Sequence, residues 1–459
     1  MSDALLPLIA GDALDATFAW RDGDAITRRQ YLADVQALAA RLPDNGTMLN
    51  VTADRYRFAV GLGAAMLRGQ SNLMPPNHTP DTVARLSGLF PGTYGLTDLP
   101  DASLALPLVR HAEAMAPLPG QAMPTPQLDE DALAAQVLTS GSTGDPVPHA
   151  KRWGLLTRNT EAGARRLARE RGVSSLAGVT LVATVPPQHM YGFESTVLIA
   201  LLGGAAFDAE RPFYPADIAR ALARAPRPRM LVTTPFHLKM LLESGVELPA
   251  IDLTLCATAP LAPQTAARAE AALHAPLMEI YGCTEAGQVA SRRPSQGVEW
   301  HTYDGLHLSG DGADTVVQGG HVPQATQLAD VIEVIDAHTF RLLGRSNDLI
   351  NIAGKRSSLG HLNYHLNTVP GVQDGAFWLP PDDAAGGVVR LVAFVVAPGV
   401  PPPALHDAVI ATLRERVDAA FLPRRVIAVP ALPRETTTGK LPASAFNAWA
   451  AKAVAATPG

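Results

Sequence analysis

The sequence predicts an α/β protein, with a large N-terminal domain built on doubly wound, mostly parallel sheets and a small α+β C-terminal domain. Three observations predict it. Short β-branched runs alternate with helical stretches through the middle of the chain. Those runs are apolar along their length, as strands covered on both faces must be. The segment after Gly344-Arg345 carries a strand and a helix of its own, which divides the chain into residues 1–344 and 345–459.

The elements follow in order. Arg29 to Leu42 has helical spacing, with Tyr31, Leu32, Val35, Leu38 and Leu42 on one side. Thr47 to Val51 is a short strand, and Tyr56 to Arg68 a helix carrying Phe58, Val60, Leu62, Ala65 and Met66. Residues 112–130, rich in Pro, Ala and Gln, read as an irregular connection. Val179 to Val185 is a strand stopped by Pro186-Pro187. Arg229 to Thr234 is another, followed by a helix over Phe236 to Glu243. Leu253 to Ala257 precedes a helix over Gln264 to His274, and Leu277 to Tyr281 is a further strand. Parallel sheets of this kind place their sites in the loops beyond the strand C-terminal ends. In the last segment, Arg390 to Val396 is a strand, 398–403 a Pro-rich connection and Ala404 to Ala420 a helix.

Composition narrows the function. The chain has 459 residues, 47% hydrophobic and 17% charged, with 37 basic against 43 acidic side chains for a net charge of −6. That balance argues against a general nucleic-acid binder and a polybasic membrane anchor. Met1 to Asp12 has no basic start for a signal peptide. The longest apolar run, Val197 to Phe207, spans about 11 residues, where a membrane helix needs about 20. Two cysteines, Cys256 and Cys283, make no disulfide framework and suit a reducing, cytoplasmic setting.

The most informative stretch is Leu138 to Pro146. An apolar approach, Ala134 to Leu138, runs into Thr139-Ser140-Gly141-Ser142-Thr143-Gly144-Asp145-Pro146. Gly141 and Gly144 permit positive φ, and the hydroxyls add donors, so the segment can form a nest of N–H groups around an anion. A flexible Gly/Ser linker is the other reading of its composition. The glycine spacing is not that of a Walker loop.

This run resembles the phosphate loop of the adenylate-forming superfamily, which holds acyl- and aryl-CoA synthetases, luciferases and peptide-synthetase adenylation domains. Three further motifs of that family follow in order. They are Tyr281-Gly282-Cys283-Thr284-Glu285, Gly344-Arg345-Ser346-Asn347-Asp348 with Gly354-Lys355-Arg356, and Thr438-Gly439-Lys440. The resemblance covers residues 138–441. It implies a two-step reaction: a carboxylic acid, aryl or short acyl, is activated by ATP to acyl-AMP with release of pyrophosphate. It is then transferred to a thiol of coenzyme A or of a carrier-protein phosphopantetheine.

The resemblance also implies roles. Thr139, Ser140, Gly141, Ser142, Thr143 and Gly144 would hold the β- and γ-phosphates. Glu285 would bind Mg²⁺ and Thr284 the α-phosphate. Tyr281 and Gly282 would lie against adenine, as would Ala259 and Pro260 of Ala257-Thr258-Ala259-Pro260-Leu261, a stretch that lacks the family's glycines. Asp330 would take the ribose hydroxyls, and Arg345 a ribose or phosphate oxygen. Lys440 would bridge the substrate carboxylate and the α-phosphate, neutralising charge that builds as they approach. His189, in Pro186-Pro187-Gln188-His189-Met190-Tyr191-Gly192, would sit near the carboxylate, with Phe193, Glu194, Phe236 and Thr258 lining the acid pocket. The small domain would be a mobile lid turning about Asn347, with Gly354 along the thiol's path. Cys283 reads as a packed thiol.

Two departures stand out. Val147 occupies the slot where the family usually has lysine, leaving Lys151 and Arg152 as candidates to supply that charge. Asn347 replaces the usual hinge Asp or Lys. An amino-acid-activating adenylation domain, with Asp208 of Phe207-Asp208 as the carboxylate for the amine, and a catalytically inactive nucleotide-binding homologue are the alternatives.

Overall fold

The computed structural model describes residues 4–111, 123–140, 146–345, 349–352, 355–380, 390–434 and 441–456. The first helix, Arg28–Ala39, starts where the Thr27 hydroxyl accepts the Gln30 N–H, a cap worth about 1 kcal/mol. Tyr31, Leu32, Val35 and Leu38 on its inner face are buried. It ends earlier than its apolar spacing predicts, because Leu42 precedes Pro43 and is steered out of the helical region. Leu42 still reaches the core from the turn. The next helix, Arg55–Leu67, is capped by Asp54.

Two sheets organise the large domain. One has six strands in the order Pro146–Arg152, Leu133–Ser140, Asn72–Met74, Met48–Asn50, Tyr94–Thr97, Leu108–Arg110. Its pairs are parallel except for the first, a hairpin. The other has eleven strands: Asp330–Val334, Thr339–Arg345, Glu299–Thr302, Gly287–Arg292, Leu277–Cys283, Leu253–Cys256, Arg229–Thr233, Thr180–Ala183, Ala206–Asp208, Thr17–Arg21 and Asp24–Thr27. The centre, from Leu277–Cys283 to Thr17–Arg21, is parallel. Both flanks are antiparallel. The change comes where connecting helices stop: only Thr284-Glu285-Ala286 separates Leu277–Cys283 from Gly287–Arg292, and so short a link joins only antiparallel strands. Within the stretch read as irregular, Gln127–Asp129 pairs with Leu5–Pro7.

The parallel centre sets up the site. The C-terminal ends of Thr180–Ala183, Arg229–Thr233, Leu253–Cys256 and Leu277–Cys283 emerge side by side along one edge. Arg55 ties the two layers there. Its buried guanidinium donates to Thr196 Oγ1 at 3.0 Å and to the carbonyls of Ala183 and Val185 at 3.0 and 3.1 Å. The apolar run Val197 to Phe207 is buried in the core. No helix among the described residues is long and apolar enough to cross a membrane.

The C-terminal part builds a three-stranded sheet, Asp374–Trp378, Val392–Val396 and Arg425–Ala428. Helices Leu359–Leu366, Pro402–Arg414 and Ala443–Ala456 flank it. Its apolar residues form two clusters of their own, around Phe377 and Leu405 and around Phe394 and Phe446. The helix expected to run to Ala420 stops at Arg414, and Ala419–Phe421 is a separate 3₁₀ turn capped by Asp418. This part docks on the large one through Gln264 Nε2, which donates to the Thr368 carbonyl at 2.8 Å, and Lys239 Nζ, which donates to that of Gln373 at 2.6 Å.

Candidate active site

The residues expected to bind the nucleoside gather on the Leu277–Cys283 strand. A bulge between Tyr281 and Gly282 turns the strand end outward. Only glycine fits at 282, because a Cβ there would lie 2.2 Å from the Gly287 carbonyl oxygen. The Tyr281 ring sits edge-on to Trp300 and Phe340, at 5.8 and 5.6 Å between centroids. Its hydroxyl donates to Asp330 Oδ2 at 2.7 Å. Asp330 is the direct antiparallel partner of Arg345. The structure thus brings Tyr281, Asp330 and the backbone of Arg345 together from distant parts of the chain.

Next to this group lies the Ala257–Leu261 stretch. Thr258, Ala259 and Pro260 are exposed. Thr258 has φ +87°, a conformation that a β-branched residue adopts only under strain. Below it, the Leu261 N–H donates to Glu279 Oε1 at 2.9 Å. Glu279 is buried and paired with Arg292 at 2.7 Å, and Arg292 lies 4.6 Å over the Trp300 ring. None of these supports was foreseen from the sequence.

The residues expected to bind phosphates lie at the end of the hairpin of Leu133–Ser140 and Pro146–Arg152, where Val147 pairs with Thr139. Gly141, Ser142, Thr143 and Gly144 lie outside the described residues, as does the side chain of Ser140. Val147 is 44% exposed. Strand alternation places Val147, His149 and Lys151 on one face. Lys151, a candidate to supply the charge missing at 147, is committed elsewhere. It is buried and donates to the carbonyl of Thr284 and, at 3.3 Å, to that of Glu285. Burial lowers its pKa, against the pull of Glu194. The lysine holds the Thr284-Glu285 turn from beneath. His149 Nε2 lies 3.0 Å from Thr139 Oγ1 and 3.9 Å from Glu285 Oε1. The Glu285 side chain is half exposed. Cys283 is a packed thiol, pushed up to about 12 by burial.

Glu194 completes the buried layer. It sits in a π-helical turn, Phe193–Leu198, and accepts from Asn159 Nδ2. Burial pushes its carboxyl up to about 7, opposed by Lys151 and the Asn159 bond. Gly287, at φ +77°, leaves room for it: a Cβ there would come within 2.9 Å of Glu194 Oε1. Glu194 therefore serves the support of the turn. Phe193 is fully buried against Phe58, with centroids 6.3 Å apart. Neither faces an open acid pocket.

Of the residues expected to face the acid, His189 is exposed and opens the helical segment at Met190. Phe236 is half-buried beside Phe213 and His237. Asp208 is buried and paired with Arg224 at 2.9 Å. Lys440, Asn347 and Gly354 lie outside the described residues. Among the described residues no group of three or more His, Cys, Asp or Glu side chains is placed to hold a metal ion. A lone, half-exposed carboxylate such as Glu285 fits Mg²⁺ that keeps its waters and shares phosphate oxygens.

Fold and strand-edge site together define an α/β enzyme scaffold. Residues 75–315 match the AMP-binding enzyme family, and residues 365–440 match the AMP-binding enzyme C-terminal domain. The chain belongs to that family. It is similar to a 4-coumarate–CoA ligase of Halorhodospira halophila, at 32% identity over 293 residues, covering 61% of this chain and 66% of that one. It is also similar to a probable 2-succinylbenzoate–CoA ligase of Mycobacterium tuberculosis, at 28% identity, covering 67% and 82%. Its fold matches that of ATP-bound MatB from Rhodopseudomonas palustris, with TM-score 0.76 and 18% identity over 96% of this chain and 97% of that one.

Proposed function

We propose that the chain is an AMP-forming acid–thiol ligase acting on a small carboxylic acid. A carboxylate oxygen attacks the α-phosphorus of ATP, the bond to the β-phosphate breaks, and pyrophosphate leaves. The sulfur of a thiol then attacks the acyl carbon, the acyl–oxygen bond breaks, AMP leaves with that electron pair, and the thiol proton passes to solvent. The observation that carries this reading is the convergence of the Tyr281–Asp330 pair and the Thr139–His149–Glu285 group at the C-terminal ends of parallel strands.

Asp330 and Tyr281 anchor the ribose and adenine, with Ala259, Pro260 and Gly282 against the base and Arg345 on a ribose or phosphate oxygen. Thr139, Ser140 and the loop through Gly144 hold the phosphates, with Thr284 on the α-phosphate. Lys440 neutralises charge as the carboxylate approaches the α-phosphate. When bound at Glu285, Mg²⁺ would neutralise phosphate charge. Residues 345–459 act as a lid that turns near Asn347 between the two steps. His189 lies toward the acid.

An aryl acid and coenzyme A are favoured by the names of the relatives, and a carrier-protein phosphopantetheine presents the same thiol. The free Cys256 and Cys283 fit a reducing cytoplasm. An amino-acid substrate is disfavoured because Asp208 is already paired with Arg224. A panel of carboxylic acids, read by pyrophosphate release and repeated with each thiol, tests the proposal. Release with an aromatic acid and thioester formation are expected. No AMP from any acid would refute it.

A further inference from the structure

The basic side chains beside Glu285 differ in what already holds them. Lys151 is turned inward onto two carbonyls. Arg152 donates to the Asp131 carbonyl at 2.7 Å and lies 4.0 Å from its carboxylate. Arg158 is 3.6 Å from Glu130. These two arginines line a cleft of about 430 Å³ beside Glu285, and their acids line it with them, so it offers an anion little net attraction. At 147, where a long cation would reach the loop, valine stands half exposed. His149 is different. It is two residues beyond Val147 on the same strand face, and its ring sits between a hydroxyl of the loop's base and the carboxylate of the turn.

We propose that His149 is a phosphate ligand of this chain: its imidazole Nε2 exchanges the Thr139 hydroxyl for an oxygen of the β- or γ-phosphate and stays with the pyrophosphate until it leaves. The ligand class is a magnesium-bound triphosphate or diphosphate. The inference rests on the reading of the site as an ATP site. Imidazole suits the position because it donates a directed hydrogen bond at short reach. A lysine at 147 would act from the rim, whereas His149 acts from the strand below. The Thr139 hydroxyl holds the ring in place before nucleotide arrives, which reduces the cost of ordering it on binding.

The test is calorimetric titration of the full chain with MgATP, Mg-pyrophosphate and AMP. His149→Ala is expected to weaken MgATP and Mg-pyrophosphate on the order of 10- to 100-fold, the loss of a hydrogen bond to a charged group. AMP, which lacks those phosphates, keeps its affinity and shows that the variant is folded. Val147→Lys added to His149→Ala should recover most of the MgATP affinity, since position 147 is open to solvent. His149→Ala binding MgATP as tightly as the parent would overturn the inference and leave the reading of the site standing. Equal loss of AMP and MgATP, or no rescue by Val147→Lys, would also overturn it. A parent chain that binds neither MgATP nor AMP would overturn the reading itself.

Discussion

Asp330 carries two burdens at once: it accepts the Tyr281 hydroxyl and, on the proposed function, the ribose. Asp330→Asn retains an acceptor for Tyr281 and loses the charge, so the fold should hold while the KM for ATP rises about tenfold. Steady-state kinetics with a thermal melt as control checks this. Glu194 makes a different prediction. Its carboxyl is raised by burial to about 7 from an ordinary 4.5. A group raised in the fold contributes stability that is full below its unfolded pKa and is lost as pH rises through the folded one. The parent should therefore lose up to about 3 kcal/mol between roughly pH 4.5 and 7 that Glu194→Gln does not lose. Denaturant midpoints for both proteins across that range decide it; parallel curves would mean that Glu194 does not titrate there.

At the scale of elements, the Tyr281/Gly282 bulge does most to shape the site. Gly282→Ala must push the added methyl into the Gly287 carbonyl. We expect a cost of about 1–3 kcal/mol and a fall of more than tenfold in ATP-dependent pyrophosphate release, read by denaturation and by turnover. Some elements were plain in the sequence. Thr180–Ala183, Arg229–Thr233, Leu253–Cys256 and the first five residues of Leu277–Cys283 are buried, so they appear as mostly apolar runs. The antiparallel flanks did not, because strands such as Glu299–Thr302, Asp330–Val334 and Asp24–Thr27 are only partly buried and mix polar with apolar residues. The site divides in the same way. Tyr281 and Asp330 could be found through short motifs and a spacing that turned out to be strand register. Lys151 and Glu194 could not, because their partners are remote: Lys151 meets Thr284, 133 residues away, and Glu194 meets Asn159, 35 residues away. The shared face of Val147, His149 and Lys151 came from strand register in a segment whose two prolines and charges do not mark it as a strand.

At the scale of the whole molecule, the proposal requires that the two halves of the reaction depend on different parts of the lid. Lys440→Ala should slow adenylate formation by on the order of 100-fold or more and spare thioester formation from supplied acyl-adenylate. Single-turnover assays of each step separate them, and equal loss in both would remove Lys440 from its assigned place. The contact between the two parts also runs through an aromatic centre. The Tyr364 phenol, on the small part, lies within electrostatic reach of Arg292, and Arg292 covers the face of Trp300. An indole under a guanidinium emits differently from one left bare. If the small part swings as the proposed function requires, Tyr364 leaves the neighbourhood of Arg292 and the emission of Trp300 should change, which would make that indole an optical gauge of opening and closing.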